Sequence, residues 1–155
     1  MSLSVGDKAP EFSLSSAAGE QFTLSALLKK GALVLFFYPK DDTPGCTAEA
    51  CSFRDSYDEF AEAGAQVVGI SSDSSESHTQ FASKHRLQMP LLSDPGGTAR
   101  AAYGIKATLG LFPGRETFVI DQTGVIRHIF RSQLRVGKHV EEALAVIRKF
   151  PRTQG

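Results

Sequence analysis

Short apolar runs alternate along the chain with stretches whose apolar residues recur at helical spacing. Residues 12–14 and 21–24 are two such runs, separated by a polar turn, and they predict a short β-hairpin. Ser25 is expected to cap the brief helix that follows. Residues 32–38 form a continuous apolar run rich in β-forming side chains that ends at Pro39, which is typical of a strand buried on both faces.

The later part of the chain continues this alternation. Residues 46–63 carry apolar or aromatic side chains every three or four positions, which predicts one helix with a single buried face, ended by Gly64. Beyond it the pattern predicts a strand over 66–70, helices over 76–85 and 98–103, a hairpin of strands over 116–120 and 125–130, and a last helix over about 138–150.

The order of these elements indicates the fold class. Strands that alternate with helices require right-handed parallel crossovers, whereas the late hairpin adds antiparallel strands. We therefore expect an α/β fold with a mixed central sheet flanked by helices and an N-terminal β-hairpin, which is a thioredoxin-like arrangement. The 155 residues have the length of one ordinary domain, so we expect a single domain over 1–155 with its core over about 5–150.

The charge balance argues against several classes of partner. The chain has 17 basic and 17 acidic residues, which gives no reason to expect binding to nucleic acid or to an anionic membrane. Its longest apolar run is too short to span a bilayer, and its start lacks the pattern of a secretory signal. We expect a soluble cytoplasmic protein with a small substrate, or a plastid protein if a transit peptide was removed.

Two cysteines, Cys46 and Cys51, are the candidate reactive groups. A domain of this length in a reducing compartment does not need a disulfide as a staple, so two closely spaced thiols need another explanation. The loop 39–46 leaves the carboxyl end of a buried strand and opens a helix, where α/β sheets usually place their sites. The free N–H groups and the dipole at that helix start favour an anion, and therefore the thiolate of Cys46.

The residues before Cys46 fit a preorganised pocket. The hydroxyl of Thr43 can reach the sulfur or a bound oxygen, and the rings of Pro39 and Pro44 stiffen the loop and exclude water. The same residues also fit a turn before a buried structural cysteine, since free cysteine is among the most buried residue types. Spacing alone leaves both interpretations open.

The offset between the two cysteines predicts a structural change if they pair. Five residues along a regular helix give roughly 140° of rotation and about 8–9 Å between the Cα atoms of Cys46 and Cys51. A disulfide needs Cα atoms within about 7 Å, so pairing requires the first turns of this helix to unwind. The alternative is that Cys51 merely fills space in the core.

Several segments in order along the chain resemble the peroxiredoxins. Residues 39–46, P-K-D-D-T-P-G-C, are similar to the proline, threonine and cysteine signature of that family. The second cysteine of C-T-A-E-A-C is similar to that of the peroxiredoxin Q, or bacterioferritin comigratory protein, branch. The likeness runs from about residue 5 to residue 150 through G-D-K-A-P-E-F, G-I-S-S-D, L-L-S-D and P-G-R-E-T-F-V-I-D.

This resemblance implies an antioxidant peroxidase that reduces hydrogen peroxide and organic hydroperoxides without a cofactor or metal. Cys46 would attack the peroxide and become a sulfenic acid, and Cys51 would resolve it as an intramolecular disulfide that thioredoxin reduces. Pro39 would shield Cys46, and Thr43 would bind the peroxide oxygens. Because the chain lacks the distant resolving cysteine of the dimeric branch, a monomer is expected.

The resemblance also assigns roles to two charged residues. Arg115 would donate to both the sulfur and the peroxide, and the chemistry needs such a donor because negative charge develops on the leaving oxygen. An arginine suits this because it stays charged and presents several N–H groups. Glu49 would orient Arg115. Arg54 would either assist Cys46 or pair at the surface with a carboxylate such as Asp55.

The cysteines and histidines also bear on three other classes of protein. A zinc module is disfavoured because the cysteines lack the usual two-residue gap and the histidines are scattered, at His78, His85, His128 and His139. The absence of C-x-x-C disfavours a thioredoxin-like disulfide reductase. A non-enzymatic redox sensor or chaperone would use the same thiol, and turnover of peroxide distinguishes it from an enzyme.

Overall fold

The structure is a computed structural model that describes residues 3–105, 115–132 and 135–150. Its strands are β1 (Ser13–Ser16), β2 (Gln21–Thr23), β3 (Ala32–Phe37), β4 (Ala65–Ser71), β5 (Leu91–Ser93), β6 (Glu116–Ile120) and β7 (Ile126–Arg131). Its helices are α1 (Leu24–Leu28), α2 (Pro44–Asp55), α3 (Tyr57–Glu62), α4 (Ser75–His85), α5 (Thr98–Ala102) and α6 (Val136–Arg148), and a 3₁₀ turn spans Pro95–Gly97.

The strands of the described residues form one mixed sheet in the order β2-β1-β5-β4-β3-β6-β7. The three central strands β5, β4 and β3 are parallel, whereas β6, β7 and the β1–β2 hairpin are antiparallel to their neighbours. The structure thus confirms the mixed sheet and the N-terminal hairpin. Within the described ranges, none of the helices has the length and the apolar character needed to cross a lipid bilayer.

Each face of the sheet carries its own core, and β3 contributes to both because its side chains alternate. Val34 and Phe36 pack on one face with α2, α3, α4 and α6, while Leu33 and Leu35 pack on the other with α1 and α5. Phe36 stacks on Phe53 of α2, with ring centroids 4.5 Å apart. Burial of such an aromatic side chain contributes about 1.5–3 kcal/mol, so this contact holds α2 firmly against the sheet.

Three details of the sequence prediction are wrong. The cap of α1 is Thr23, not Ser25, because the chain is still extended at Thr23, whose hydroxyl accepts a hydrogen bond from the N–H of Ala26. The helix predicted over 46–63 is two helices, broken at Ser56. The strand β5 was not predicted, because three residues are too few to show a period.

The break at Ser56 has an electrostatic basis in the sequence. Arg54 lies in the last turn of α2, while Asp58 and Glu59 lie in the first turn of α3. A cation at the C-terminal end of a helix and acids at the N-terminal end of a helix both interact favourably with the helix dipole. These charges therefore stabilise two short helices rather than one long helix. Both helices still bury one aromatic side chain in the same core, Phe53 and Phe60.

Candidate active site

Cys46 lies where β3 delivers the chain to the start of α2. Thr43 occupies the N-cap position with extended backbone angles, Pro44 is the first helical residue, and Cys46 lies in the first turn as predicted. Only 1% of Cys46 is exposed. Its sulfur therefore lies in a dry environment beside free backbone N–H groups, which stabilise a negative charge more effectively there than in water.

Arg115 reaches Cys46 from the neighbouring strand. It directly precedes β6, whose first residue, Glu116, pairs with Phe37 at the end of β3, so the sheet register places Arg115 beside the active-site loop. Nη2 of Arg115 lies 3.4 Å from Cys46 Sγ. A Cβ atom at Gly45 would lie 3.0 Å from the same nitrogen, so the absence of a side chain at Gly45 lets the guanidinium approach the sulfur.

Glu49 holds the other arm of this guanidinium. Nη1 of Arg115 donates to Glu49 Oε1 over 2.7 Å, and the Glu49 side chain has no exposed surface. Burial raises the pKa of Glu49 to about 7, although the charge of Arg115 and its hydrogen bond oppose that rise. Burial disfavours the charged form of Arg115, but attraction to Glu49 and then to Cys46 outweighs it, so the pKa of Arg115 is raised.

His139 completes this buried cluster from α6, although in the sequence it was considered only among the scattered histidines of a disfavoured zinc site. Its Nδ1 lies 3.4 Å from Glu49 Oε2 and 2.7 Å from Thr117 Oγ1, and its Nε2 donates to the carbonyl of Ser132 over 2.9 Å. Burial lowers the pKa of His139 to about 4; the bond to Ser132 opposes this, and the charge of Arg115 adds to it. Its helical spacing from the apolar Ala143 and Ile147, which lie on the same face of α6, could have identified it as a core residue.

Thr43 and Pro39 line the same loop but make no hydrogen bond to the sulfur in the part of the chain that the structure describes. The Thr43 hydroxyl donates to the carbonyl of Lys40 over 2.8 Å. Its oxygen therefore keeps lone pairs that can accept a hydrogen bond from a bound molecule. Pro39 is half-buried directly after the buried Tyr38, which fits a residue that limits access of water to the loop.

A second buried network holds the loop in place, and the sequence did not reveal it. Asp41 accepts the hydroxyl of Tyr38 on Oδ1 at 2.6 Å and the hydroxyl of Ser77 on Oδ2 at 2.8 Å. His78 of α4 places Nδ1 2.7 Å from Asp41 Oδ2 and Nε2 3.0 Å from the carbonyl of Leu92. The loop before Cys46 is thus tied to β3, α4 and β5.

Two other candidate residues lie farther along the helix. Cys51 is a free, half-buried thiol on α2, as Cys46 is a free, buried thiol at its start. Arg54 pairs with Asp55 over 2.9 Å and donates to the carbonyl of His85 over 2.8 Å, so it takes the surface role rather than the role of assisting Cys46.

Comparison with known proteins identifies the family. A profile described as "AhpC/TSA family" matches residues 5–129. Peroxiredoxin Q, chloroplastic, from Sedum lineare is 47% identical over 143 residues, which cover 92% of this chain and 76% of that protein. The corresponding Arabidopsis thaliana protein is 46% identical over 144 residues, which cover 92% and 66%.

Solved structures agree with the sequence comparison. Peroxidoxin BcpB from Mycobacterium tuberculosis matches with a TM-score of 0.90 at 42% identity, over 97% of this chain and 99% of that one. A structure of Xanthomonas campestris peroxiredoxin Q matches with a TM-score of 0.81 at 35% identity, over 88% and 89%. These matches confirm the thioredoxin-like fold, and the chain belongs to the AhpC/TSA family, in its peroxiredoxin Q branch.

Proposed function

We propose that this peroxiredoxin is a peroxidase that reduces hydrogen peroxide and organic hydroperoxides, with Cys46 as its nucleophile and Cys51 as its resolving thiol. The observation that carries the proposal is the 3.4 Å contact of Arg115 Nη2 with Cys46 Sγ at the start of α2. A structural cysteine would gain nothing from a buried arginine, whereas a thiolate is stabilised by one. Solved relatives include a Xanthomonas campestris protein studied for alkyl peroxide reduction.

In the first step, the thiolate of Cys46 attacks the terminal oxygen of the peroxide. The S–O bond forms as the O–O bond breaks, so that the sulfur is oxidised to a sulfenic acid and an alkoxide or hydroxide leaves. Arg115 is already charged and fixed by Glu49 at 2.7 Å, so it can stabilise the leaving oxygen without first reorganising.

The loop residues would orient the peroxide for this attack. Because the Thr43 hydroxyl hydrogen is directed to Lys40, the oxygen of Thr43 acts as an acceptor for the O–H of the peroxide. Arg115 then donates to the peroxide oxygens from the other side. Pro39 shields the sulfur from bulk water, which preserves the strength of these contacts.

In the second step, Cys51 attacks the sulfenic sulfur, water leaves, and an intramolecular disulfide forms. The two thiols lie on the same continuous helix, so the helix must open before they can bond. A dithiol protein then reduces the disulfide by exchange, and we propose thioredoxin for this role. No resident metal or organic cofactor is needed for either step.

We further propose that the protein acts as a monomer in the cytoplasm. Among the described residues, the exposed large hydrophobic side chain is Val5, at 58% exposure, so these residues offer no contiguous apolar patch for a stable partner. Light scattering on the eluting protein would test this directly. The named plant relatives are chloroplastic, which makes the plastid the alternative location.

The experiment that tests the function is the reaction of reduced protein with one equivalent of hydrogen peroxide, read by intact mass and peptide mapping. We expect a Cys46–Cys51 disulfide in the wild type, a sulfenic acid in Cys51→Ser, and no reaction in Cys46→Ser. A Cys46 that stays reduced while peroxide persists would contradict the proposal. Continuous turnover with a thioredoxin system would distinguish the enzyme from a sensor that is oxidised once.

A further inference from the structure

Four side chains form a buried line that leads away from the reactive sulfur. Cys46, Arg115, Glu49 and His139 are 1%, 6%, 0% and 0% exposed, and they come from α2, the start of β6, and α6. The steps between them measure 3.4 Å from sulfur to guanidinium, 2.7 Å from guanidinium to carboxyl, and 3.4 Å from carboxyl to imidazole. Bulk water therefore has little access to any of the four groups.

The charges of this line decide where a proton must lie. A thiolate on Cys46 and the guanidinium of Arg115 already balance each other. Among the described residues Arg115 is the cation that pairs with Glu49, so an ionised Glu49 would have to share it with the thiolate, and such a charge is costly in a dry site. Burial raises the pKa of Glu49 to about 7 and lowers that of His139 to about 4, so the available proton resides on the carboxyl and the ring is neutral.

The heavy-atom contacts of Glu49 favour one of its oxygens as the site of that proton. Oε1 accepts from Arg115, whereas Oε2 has no hydrogen-bond partner in the part of the chain that the structure describes and faces His139 Nδ1. Because Nε2 of His139 donates to the carbonyl of Ser132, the neutral ring leaves Nδ1 as an acceptor. In this state the hydroxyl of Thr117 donates to Nδ1 over 2.7 Å, so the ring offers no hydrogen to Oε2 and an ionised Oε2 would lack a donor.

We propose that Glu49 is the proton reservoir for peroxide reduction and that His139 is the positioning residue whose ring nitrogen, bearing no hydrogen, favours the protonated form of Glu49. This inference rests on the proposed role of Cys46. When the thiolate becomes a neutral sulfenic acid, Arg115 loses its counter-charge. Glu49 then ionises to replace it: Arg115, which contacts both groups, gives a proton from Nη2 to the leaving oxygen and regains one at Nη1 from the carboxyl of Glu49.

The step balances in atoms and charge. The thiolate, the protonated Glu49 and the hydroperoxide give the sulfenic acid, the ionised Glu49 and an alcohol, or water when the substrate is hydrogen peroxide. The sulfur is oxidised and the peroxide is reduced. The buried site begins and ends neutral, and no proton is taken from solvent during the oxidation.

Infrared difference spectroscopy on the Cys51→Ser variant tests this directly, because oxidation there stops at the sulfenic acid. On adding one equivalent of hydrogen peroxide, we expect a carboxylic-acid C=O band to disappear and carboxylate bands to appear. The band change is absent in Cys51→Ser combined with Glu49→Gln. His139→Phe on the same background shifts the frequency of the band, since the ring nitrogen that faces Oε2 is removed, while Arg115 keeps its contact with Glu49.

The matched control is Glu116→Gln. Burial also raises the pKa of Glu116, but this carboxylate pairs with Arg131 over 2.9 Å, not with Arg115. Its substitution leaves the band change in place. A band that vanishes in Glu116→Gln and persists in Glu49→Gln overturns the proposal.

A pH-indicator dye in weak buffer gives an independent count of protons. With the thiolate verified by its ultraviolet absorption, Cys51→Ser takes up no proton as the sulfenic acid forms, whereas the additional Glu49→Gln change causes uptake of one proton per sulfenic acid. Uptake of one proton with Glu49 present overturns the proposal that Glu49 supplies the proton, but it leaves Cys46 as the nucleophile. A mass spectrum without any oxidation of Cys46 overturns both.

Discussion

At the scale of single residues, the central feature is that one guanidinium contacts both the reactive sulfur and a buried carboxyl group. Arg115 places Nη1 on Glu49 and Nη2 on Cys46, and only the planar fork of an arginine can do both at once. A lysine brings the same charge but a single donor point. The geometry of Arg115, and not its charge alone, is therefore what the site requires.

We predict that Arg115→Lys lowers the second-order rate constant for oxidation of Cys46 by about 10²–10³-fold, the usual cost of losing one donor to a developing oxyanion. Stopped-flow mixing of reduced protein with peroxide measures this constant. Arg131→Lys is the control, because Arg131 is half exposed and pairs with Glu116. Equal rates for Arg115→Lys and the wild type would show that the guanidinium has no part in the chemistry.

The residues of the site differ in how visible they are in the sequence. Cys46, Thr43 and Pro39 stand in one short loop, so their likeness to a family signature can be read from neighbouring letters. His139 meets Glu49 only because α6 packs against α2 in the folded chain. No spacing rule connects residues so distant, and His139 was predicted neither as a partner of Glu49 nor as part of the site.

At the scale of elements, the loop before α2 owes its position to buried hydrogen bonds. Tyr38, Ser77 and His78 all direct a polar atom at the carboxylate of Asp41. The sequence predicted a polar loop here, but not that its first acid is buried. Asp41 and its neighbour Asp42 look alike in sequence, and only the fold separates the buried residue from the exposed one.

We predict that Asp41→Asn lowers the free energy of unfolding by about 1–3 kcal/mol. The amide replaces one accepting oxygen with an NH₂ group, so a buried hydrogen-bond donor that Asp41 had accepted is left without a partner. Urea unfolding in reducing buffer measures the loss. Asp42→Asn is the matched control: Asp42 is exposed and pairs with Lys84 and His85 at the surface, so its loss has a smaller effect. Equal losses in the two variants would contradict the anchoring role of Asp41.

The helix α2 is the element that must change during turnover. It carries Cys46 in its first turn and Cys51 past its middle, while Phe53 near its end is stacked on Phe36 in the core. The break at Ser56 separates α2 from α3, whose Phe60 is fully buried. Unwinding caused by a disulfide can therefore stop at Ser56 without disturbing α3.

We predict that formation of the Cys46–Cys51 disulfide increases amide hydrogen exchange across α2 and leaves α3 protected. Exchange of reduced and oxidised protein, followed by mass spectrometry of peptides, measures both segments in one experiment. The Cys51→Ser protein treated with peroxide is the control, because its sulfenic acid imposes no bond along the helix. Unchanged protection of α2 after verified disulfide formation would count against local unwinding.

At the scale of the whole molecule, two buried groups oppose each other in how stability depends on pH. Glu49 holds a proton in the folded state between its ordinary pKa of 4.5 and about 7, so its contribution to stability is present below 4.5 and is lost as pH rises to about 7. His139 stays neutral in the folded state down to about 4 against an ordinary value of 6.5, so its contribution is present above 6.5 and is lost as pH falls. Between pH 4.5 and 6.5, a rise in pH therefore lowers the contribution of Glu49 to stability and raises that of His139.

We predict that replacing either side chain reveals the pH dependence of the free energy of unfolding that the other side chain causes. Relative to the wild type, Glu49→Gln gains stability as pH rises from about 4.5 to 6.5, while His139→Phe loses stability over the same range, each by on the order of 3 kcal/mol for the cited shifts. Urea unfolding at several pH values, with both thiols reduced, measures the two profiles. Parallel profiles for both variants and the wild type would show that Glu49 and His139 titrate in the folded protein as they do in the unfolded chain, and the buried proton that links them to Cys46 would then have no basis.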